Sequence, residues 1–317
     1  MNYRKHPKGQ LHERNFHQGR YPLEELSKKL PELGDYLFTN PFGDLTLDFA
    51  NPEAVKLLNK ALLKHYYEID FWDIPDGFLC PPIPGRADYL HYLADLLKES
   101  NGGKFPKNGS IKVLDIGTGA NVIYPILGSV IYNWSFIGSE INLPAVDSAT
   151  QVIEKNSVLQ DKVNVRLQAN PQKIFHGIIE SGEFFDLTLC NPPFHDSDIS
   201  AKMVNQKKMK GLTGVFTSDR KLNFGGQAQE LWTTGGELEF IRKMIFESIS
   251  FKNQVFWFSC LVSKSENLPI IQKFLETSGI ASQKIVSMAQ GNKISRFIAW
   301  TFLTDKQRVS WKKFRWS

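Results

Sequence analysis

Cysteine is scarce in this chain of 317 residues. There are three, Cys80, Cys190 and Cys260, far apart and without a Cys-x-x-Cys pair. That excludes a disulfide framework and argues against a zinc site, and it points to a reducing compartment. Long apolar runs are also missing. None reaches the roughly 20 residues that a membrane-spanning helix requires. The opening stretch MNYRKHPKGQLHERNFHQGRYP lacks the apolar centre of a secretory signal. A cytoplasmic protein with no membrane association is therefore expected. Internal repeats and long low-complexity segments are absent as well. With 42% hydrophobic and 22% charged residues, the composition is that of a globular domain.

The net charge of +5 is mild, but it is gathered into clusters. Arg4, Lys5, Lys8, Arg14 and Arg20, with His6, His12 and His17, face a single acid, Glu13, within residues 1–20. Lys306, Arg308, Lys312, Lys313 and Arg315 alternate with Trp311, Phe314 and Trp316 at the other end. A third cluster, KMVNQKKMKG, contains Lys207, Lys208 and Lys210. Basic side chains mixed with aromatic ones suit phosphate contacts combined with base stacking. Basic termini are also common simply as solvated ends. Residues 1–20 are expected to be a flexible basic arm and 305–317 a basic aromatic tail. Arg4, Lys5, Lys8, Arg14, Lys207, Lys208 and Lys210 are the candidate nucleic-acid contacts.

Residues 21–108 read as a mainly helical region suited to substrate binding. NPEAVKLLNKALLKHYYEI carries apolar positions at helical spacing, with Asn51 as cap and Pro52 in the first turn. RADYLHYLADLLKES places Tyr89, Leu93, Leu96 and Leu97 on one face. The loop SNGGKFPKNGS then marks a boundary. From 109 to 304, short strands alternate with helices: IKVLDIG, NWSFIGSE, KVNVRLQ and FFDLTLC, then NQVFWFSCLV, KIVSMAQ and SRFIAWTFL. This is the pattern of an α/β, Rossmann-like doubly wound sheet of seven mostly parallel strands, with an antiparallel hairpin at its end.

Two motifs carry chemistry. The first is Asp115-Ile116-Gly117-Thr118-Gly119, directly after a strand, where glycines let the backbone approach a ligand and turn into a helix. Glu140 ends the next strand, where a carboxylate can accept hydrogen bonds from the ribose hydroxyls of an adenosine moiety. The pair, in that order and spacing, indicates a nucleoside cofactor, and D-x-G-x-G recurs in S-adenosylmethionine (SAM)-dependent methyltransferases. Ala169 and Asn170 follow the third strand and are candidates for adenine contact by position alone. The second motif is Asn191-Pro192-Pro193-Phe194, which stops the strand FFDLTLC at the ligand edge of the sheet. Methylating an exocyclic amino group requires two acceptors that localise the nitrogen lone pair. The Asn191 side-chain oxygen and the Pro192 carbonyl can supply both, and the prolines hold them in place. Phe194 offers a stacking face for a base taken out of its helix. Cys190, with no Pro-Cys motif, reads as a packed strand residue. His195, Asp196 and Asp198 follow the motif, but no further ligand cluster accompanies them and no metal is expected.

These motifs, together with LCNPPFHDS, LNFGGQAQELWTTGGELEFIRKMI, TNPFGDLTLDFANPEAVKLLNKALL and PPIPGRADYLHYLADLL, resemble the large-subunit ribosomal RNA adenine-N6 methyltransferase F family (RlmF), related to METTL-type RNA adenine-N6 methyltransferases. The resemblance covers about Arg4 to Phe302. It implies a SAM-dependent methyltransferase domain, with S-adenosylhomocysteine (SAH) as product, acting on the N6 amino group of one adenine in 23S ribosomal RNA or a large-subunit assembly intermediate, without an obligate protein partner. It also implies that Arg86 lies beside the SAM carboxylate. Gly235-Gly236-Glu237 is read as a cap that docks a loop. Lys264 stands where relatives carry a lysine loop affecting SAM access, although LVSKSEN holds one lysine only. Residues 195–236 form a long segment of weak periodicity, expected to act as a substrate loop. A protein glutamine-N5 methyltransferase, an enzyme for another structured RNA, and a non-enzymatic RNA-binding module are the competing readings.

Overall fold

In the computed structural model, which describes residues 10–193, 235–290 and 293–317, the chain opens on a helical module. Helix α1 (Leu23–Lys29) leads to a two-stranded hairpin, β1 (Leu37–Thr39) and β2 (Leu45–Leu47), and then to α2 (Pro52–Tyr67). The hairpin is an addition to the helices legible in the sequence. Asn51 caps α2 as its composition suggests: its Oδ1 accepts from the backbone N–H of Glu53 at 3.0 Å and of Ala54 at 3.3 Å. Helix α3 (Ile83–Ser100) buries Tyr89, Leu90, Leu93 and Leu97 completely or nearly so.

The second module holds β3 (Lys112–Ile116), α4 (Ile123–Tyr132), β4 (Ser135–Glu140), α5 (Leu143–Glu154), α6 (Ser157–Gln160), β5 (Val163–Leu167) and β6 (Phe185–Cys190). After these come α7 (Gly236–Ser248), β7 (Val255–Val262), α8 (Leu268–Thr277), β8 (Ser282–Gln290), β9 (Lys293–Thr301) and α9 (Asp305–Arg315). The sheet order is β5-β4-β3-β6-β7-β9-β8. The first five strands of that order are mutually parallel, and β9 is antiparallel to both β7 and β8. This is the expected seven-stranded sheet with its antiparallel end. Strands β6 and β7 are buried at every position, which explains why both read as continuous apolar runs rather than alternating ones. One apolar cluster joins Leu62 and Leu93 to Phe136, Leu189 and Trp311. The loop at 101–111 is thus a connection within a shared core, not a division between two.

Two expectations about the chain ends need correction. Residues 10–20 are not a free arm. His12, Asn15 and His17 are buried, and the segment runs as a strap along α3. The His12 N–H donates to Asp88 Oδ1 at 2.7 Å, and Asn15 Nδ2 donates to Asp88 Oδ1 at 2.8 Å and to the Pro84 carbonyl at 2.9 Å. His17 Nε2 lies 2.6 Å from the Tyr67 hydroxyl, and burial brings its pKa down to about 4. Nor is 305–317 a solvated tail. Helix α9 opens with a Thr304/Gln307 capping box and buries Trp311 and Trp316. Both indole N–H groups donate to the fully buried Asp186 carboxylate at 2.7 Å. Arg315 adds Nε at 3.0 Å and Nη2 at 2.8 Å, and the Lys112 N–H adds 2.8 Å. A buried charge requires partners, and here the basic and aromatic residues serve that need.

Candidate active site

Parallel strands bring three strand ends together at one edge of the sheet. Ile116 of β3 registers with Ser139 of β4 on one side and Cys190 of β6 on the other. The glycine loop, Glu140 and Asn191 therefore meet there. Gly117 and Gly119 have φ of +70° and +67°. Nothing lies within 4 Å of a Cβ built at Gly117, so backbone conformation, not crowding, selects glycine there. The N–H groups of Gly117 and Thr118 donate to the Ser139 carbonyl at 2.9 and 3.0 Å and fold the loop onto β4. Gly138 has no room for a side chain, since a Cβ there would sit 2.9 Å from Thr118 Cγ2.

Around this junction is a cavity of about 620 Å³. Glu140 lies in its wall, held by three backbone donors: Gly119 N–H to Oε2 at 3.0 Å, and the N–H groups of Ile141 and Asn142 to Oε1 at 2.8 and 3.0 Å. Burial raises its pKa, and these N–H groups pull the other way. Asp115 is almost wholly buried, and neither carboxylate oxygen has a hydrogen-bond partner. Burial pushes its pKa up to about 7, and the Glu140 charge adds to the rise. The Thr118 hydroxyl and the Arg86 guanidinium oppose it. That hydroxyl lies close to Asp115 but outside hydrogen-bond geometry, and it too is unpartnered. Asn191 presents its Oδ1, likewise buried and unpartnered, at the end of β6.

Arg86 occupies the first turn of α3 and lines the cavity, its guanidinium 5.6 Å from the centroid of the Tyr124 ring. Asn15 steadies this turn through the Pro84 carbonyl. Tyr124 is a residue that sequence reasoning misses. Its hydroxyl is buried, unpartnered and on the cavity wall, and burial raises its pKa. Its segment, VIYPILGSVIY, is apolar all round, so the ring reads as core. Lys173 and Lys243 also line the cavity, and Lys243 Nζ donates to Gln172 Oε1 at 3.2 Å.

Other sequence candidates fall elsewhere. Ala169 and Asn170 are exposed and outside the lining. Gln168, Pro171 and Gln172 stand there instead, because Asn170 Oδ1 turns outward to accept the Gln172 N–H at 2.9 Å. Arg14 is not free for phosphate: Nη2 donates to Asp95 at 2.8 Å and to the His91 carbonyl at 2.9 Å, and Nε to the Tyr132 hydroxyl at 3.1 Å. Pro193 lines the cavity, while Pro192 is buried next to it. Phe194, Arg4, Lys5, Lys8, Lys207, Lys208, Lys210 and the segment 195–234 lie outside the described residues. Glu237, buried at the start of α7, accepts from the N–H groups of Ser263 and Lys264 and from Asn267 Nδ2, and so fastens the Lys264 loop. Among the described residues no group of three or more His, Cys, Asp or Glu is placed to hold a metal ion.

The unpartnered oxygens form a consistent donor-seeking and cation-seeking set. Arg86, the Tyr124 hydroxyl and the Glu140 carboxylate, fixed beside the glycine loop, line the cavity, and the Asp115 carboxylate lies buried directly before that loop. A zwitterionic amino acid joined to a nucleoside fits these groups.

Comparison with known proteins supplies the kinship. A family model described as RNA methyltransferase matches residues 5–304. The ribosomal RNA large subunit methyltransferase F of Ectopseudomonas mendocina is 51% identical over 312 residues, covering 98% of this chain and 93% of that protein. Its namesake from Cronobacter sakazakii is 51% identical over 305 residues, covering 96% and 97%. Among solved structures, the human METTL16 catalytic domain in complex with MAT2A 3′UTR hairpin 1 superposes with a TM-score of 0.78 at 29% identity, covering 93% of this chain and 96% of that one. The N-terminal domain of human METTL16 in complex with SAH gives 0.72 at 26% identity, covering 93% and 99%. By sequence and by fold, the chain belongs to the ribosomal RNA large subunit methyltransferase F family of RNA methyltransferases.

Proposed function

We propose that the protein transfers a methyl group from SAM to the N6 amino group of one adenine in 23S ribosomal RNA, in the cytoplasm, on naked RNA or on a large-subunit assembly intermediate. The observation that carries this reading is the unpartnered Asn191 Oδ1 at the carboxyl end of β6, opening on the same cavity as the glycine loop and Glu140. The relatives' names carry the substrate class. No helix among the described residues is long and apolar enough to cross a membrane.

In this reading, Asp115 takes the ammonium group of the cofactor's amino-acid portion. Arg86 and Tyr124 take its carboxylate, as suits an Arg fork beside a hydroxyl. Glu140 and the glycine loop hold the ribose. When bound, SAM supplies an electrophilic methyl group. Asn191 Oδ1 and the Pro192 carbonyl accept hydrogen bonds from the two amino N–H groups of the adenine and aim the nitrogen lone pair. Once the methyl group has moved and SAH is the leaving group, the surplus proton on the nitrogen passes to water. The prolines fix these acceptors before substrate arrives, so little ordering remains to be done at reaction. Phe194 stacks on the extruded base. Lys173 and Lys243, at the cavity wall, are placed to meet phosphates.

The test is methyl transfer from labelled SAM to 23S RNA of cells lacking the gene, followed by mass mapping of methylated adenines. Label in one adenine supports the reading, and label confined to protein overturns it. Asn191→Ala should bind SAH as the wild type does and lose far more than tenfold in turnover. A smaller loss, under about 1.4 kcal/mol, removes Asn191 from the proposed role.

A further inference from the structure

The basic and aromatic residues of the C-terminal segment do not flank the cavity just described. The loop at 101–111, the turn at Asn133 and helix α9 all lie at the amino ends of β3, β4 and β6. That edge is separated from Asn191 by the length of β6, about 17 Å at the ordinary strand rise.

A second cavity, of about 330 Å³, opens there between Phe105, Pro106, Lys107, Asn108, Tyr132 and Trp134. One wall is a stacked pair, with the rings of Tyr132 and Trp134 4.9 Å apart and inclined by 21°. Phe105 stands across from Tyr132 at 6.4 Å, tilted by 38° and 45% exposed. That separation is close to twice the roughly 3.4 Å spacing of stacked bases. A sandwiched ring needs about 6.8 Å between parallel faces, so Phe105, an exposed loop side chain, has to swing outward to admit one. Arg14 does not offer its charge outward; it is bonded to Tyr132 and lies 5.3 Å from the Phe105 centroid. Lys107 lines the cavity, Lys98 holds Nζ 5.0 Å from the same centroid, and exposed Lys104 precedes Phe105 in the chain. Helix α9 continues this surface with exposed Lys313 and Phe314; Lys312 Nζ donates to the Ser100 carbonyl at the end of α3 at 2.9 Å, and the Lys107 N–H of the loop donates to the Trp316 carbonyl at 3.3 Å. The neighbouring acids are engaged: Asp95 by Arg14, Glu99 by Lys284 and Asp186 by Arg315. Exposed Lys104, Lys107 and Lys313 supply positive charge at this edge.

We infer that this second cavity receives an unpaired nucleobase of the RNA substrate, with the adjoining phosphates on Lys98, Lys104 and Lys107. The substrate is then gripped at both edges of the sheet, the target adenine at one and a flanking nucleotide at the other. Aromatic walls within a cationic rim match a base joined to phosphates. The amides of Asn108 and Asn133 can meet the edge of the base. The identity of the RNA rests on the proposed function, but contact with RNA does not.

The experiment measures binding of a 23S RNA transcript to wild type, Phe105→Ala and the exposed-site variant Lys104→Glu/Lys107→Glu, at several salt concentrations, beside SAH affinity and turnover at saturating RNA. Phe105→Ala should weaken RNA binding roughly tenfold, the loss of one stacked base. The double variant should lower the salt slope by about two, since two phosphate contacts go. SAH affinity and turnover at saturation should be unchanged in both. RNA affinity and salt slope equal to wild type in folded variants overturn the inference, as does an equal fall in SAH affinity, which would show a structural role only. Failure of the wild type to methylate RNA would instead overturn the proposed function, leaving the binding comparison to decide this site separately.

Discussion

At the residue scale, the site was legible where a short motif forces its own geometry. Asp115-Ile116-Gly117-Thr118-Gly119 and Asn191-Pro192-Pro193 are strand-end punctuation, and parallel pairing of β3, β4 and β6 is enough to bring them together. Tyr124 was not legible, because its place on the cavity wall depends on which way one ring of an apolar helix points. Tyr124→Phe tests it directly. Affinity for SAH should fall about tenfold, the worth of one hydrogen bond to a charged acceptor. Affinity for 5′-methylthioadenosine, which has no amino-acid group, should not change. An equal loss for both ligands assigns Tyr124 to packing alone. Asp115 makes a prediction about pH. Its carboxyl is raised from an ordinary value of 3.8 to about 7 by burial. The folded ligand-free protein therefore favours the protonated form. That preference stabilises fully below the ordinary carboxylate value and is lost as pH rises through about 7. Between about pH 5 and about pH 8, the melting temperature of the ligand-free wild type should fall relative to that of Asp115→Asn, which has no charge to bury. SAH binding should strengthen over the same interval in wild type only, since an ammonium group prefers the ionised carboxylate. Parallel melting curves for the two proteins would remove the buried charge from the explanation.

At the element scale, helices with strong caps and strands with continuous apolar runs announced themselves, as α2 behind Asn51 and β7 both show. Helix α9 did not. Its lysines and tryptophans have the composition of an RNA-binding tail, and nothing local reveals that a single aspartate five residues before Asn191 lies buried beneath it. Asp186 is invisible to pattern reading because it interrupts the apolar strand FFDLTLC without ending it. Its partners come from 74 residues upstream and from about 130 downstream, a separation that no window of sequence spans. Arg315→Met leaves that carboxylate with its N–H donors but without a countercharge. Unfolding in urea should show a loss of about 2–3 kcal/mol. Much of the loss should return in Asp186→Asn/Arg315→Met, where no charge remains to be paired. If the double variant is as unstable as the single one, the electrostatic reading of this cluster is wrong and packing of α9 carries the effect.

At the scale of the whole molecule, the strap at 10–20 connects fold to site. It lies on α3, whose first turn bears Arg86, and it is fastened at both ends of that helix: to Asp95 by Arg14, and to Pro84 and Asp88 by Asn15. The basic residues before it, Arg4, Lys5 and Lys8, lie outside the described residues and remain candidate RNA contacts. The N-terminal twenty residues, which composition presents as one arm, should therefore divide into two functions under truncation. Removing residues 1–9 should leave melting temperature and SAH affinity as they are, while weakening RNA binding and flattening its salt dependence. Removing residues 1–20 strips buried His12, Asn15 and His17 from α3 and uncovers the apolar and carboxylate groups beneath. Melting temperature should then drop by roughly 5–10 °C, and SAH should bind more weakly because the Arg86 turn loses its brace. A shorter truncation that destabilises as much as the longer one, or a longer one that changes RNA binding alone, would show that the division between docked strap and basic extension at residue 10 is misplaced.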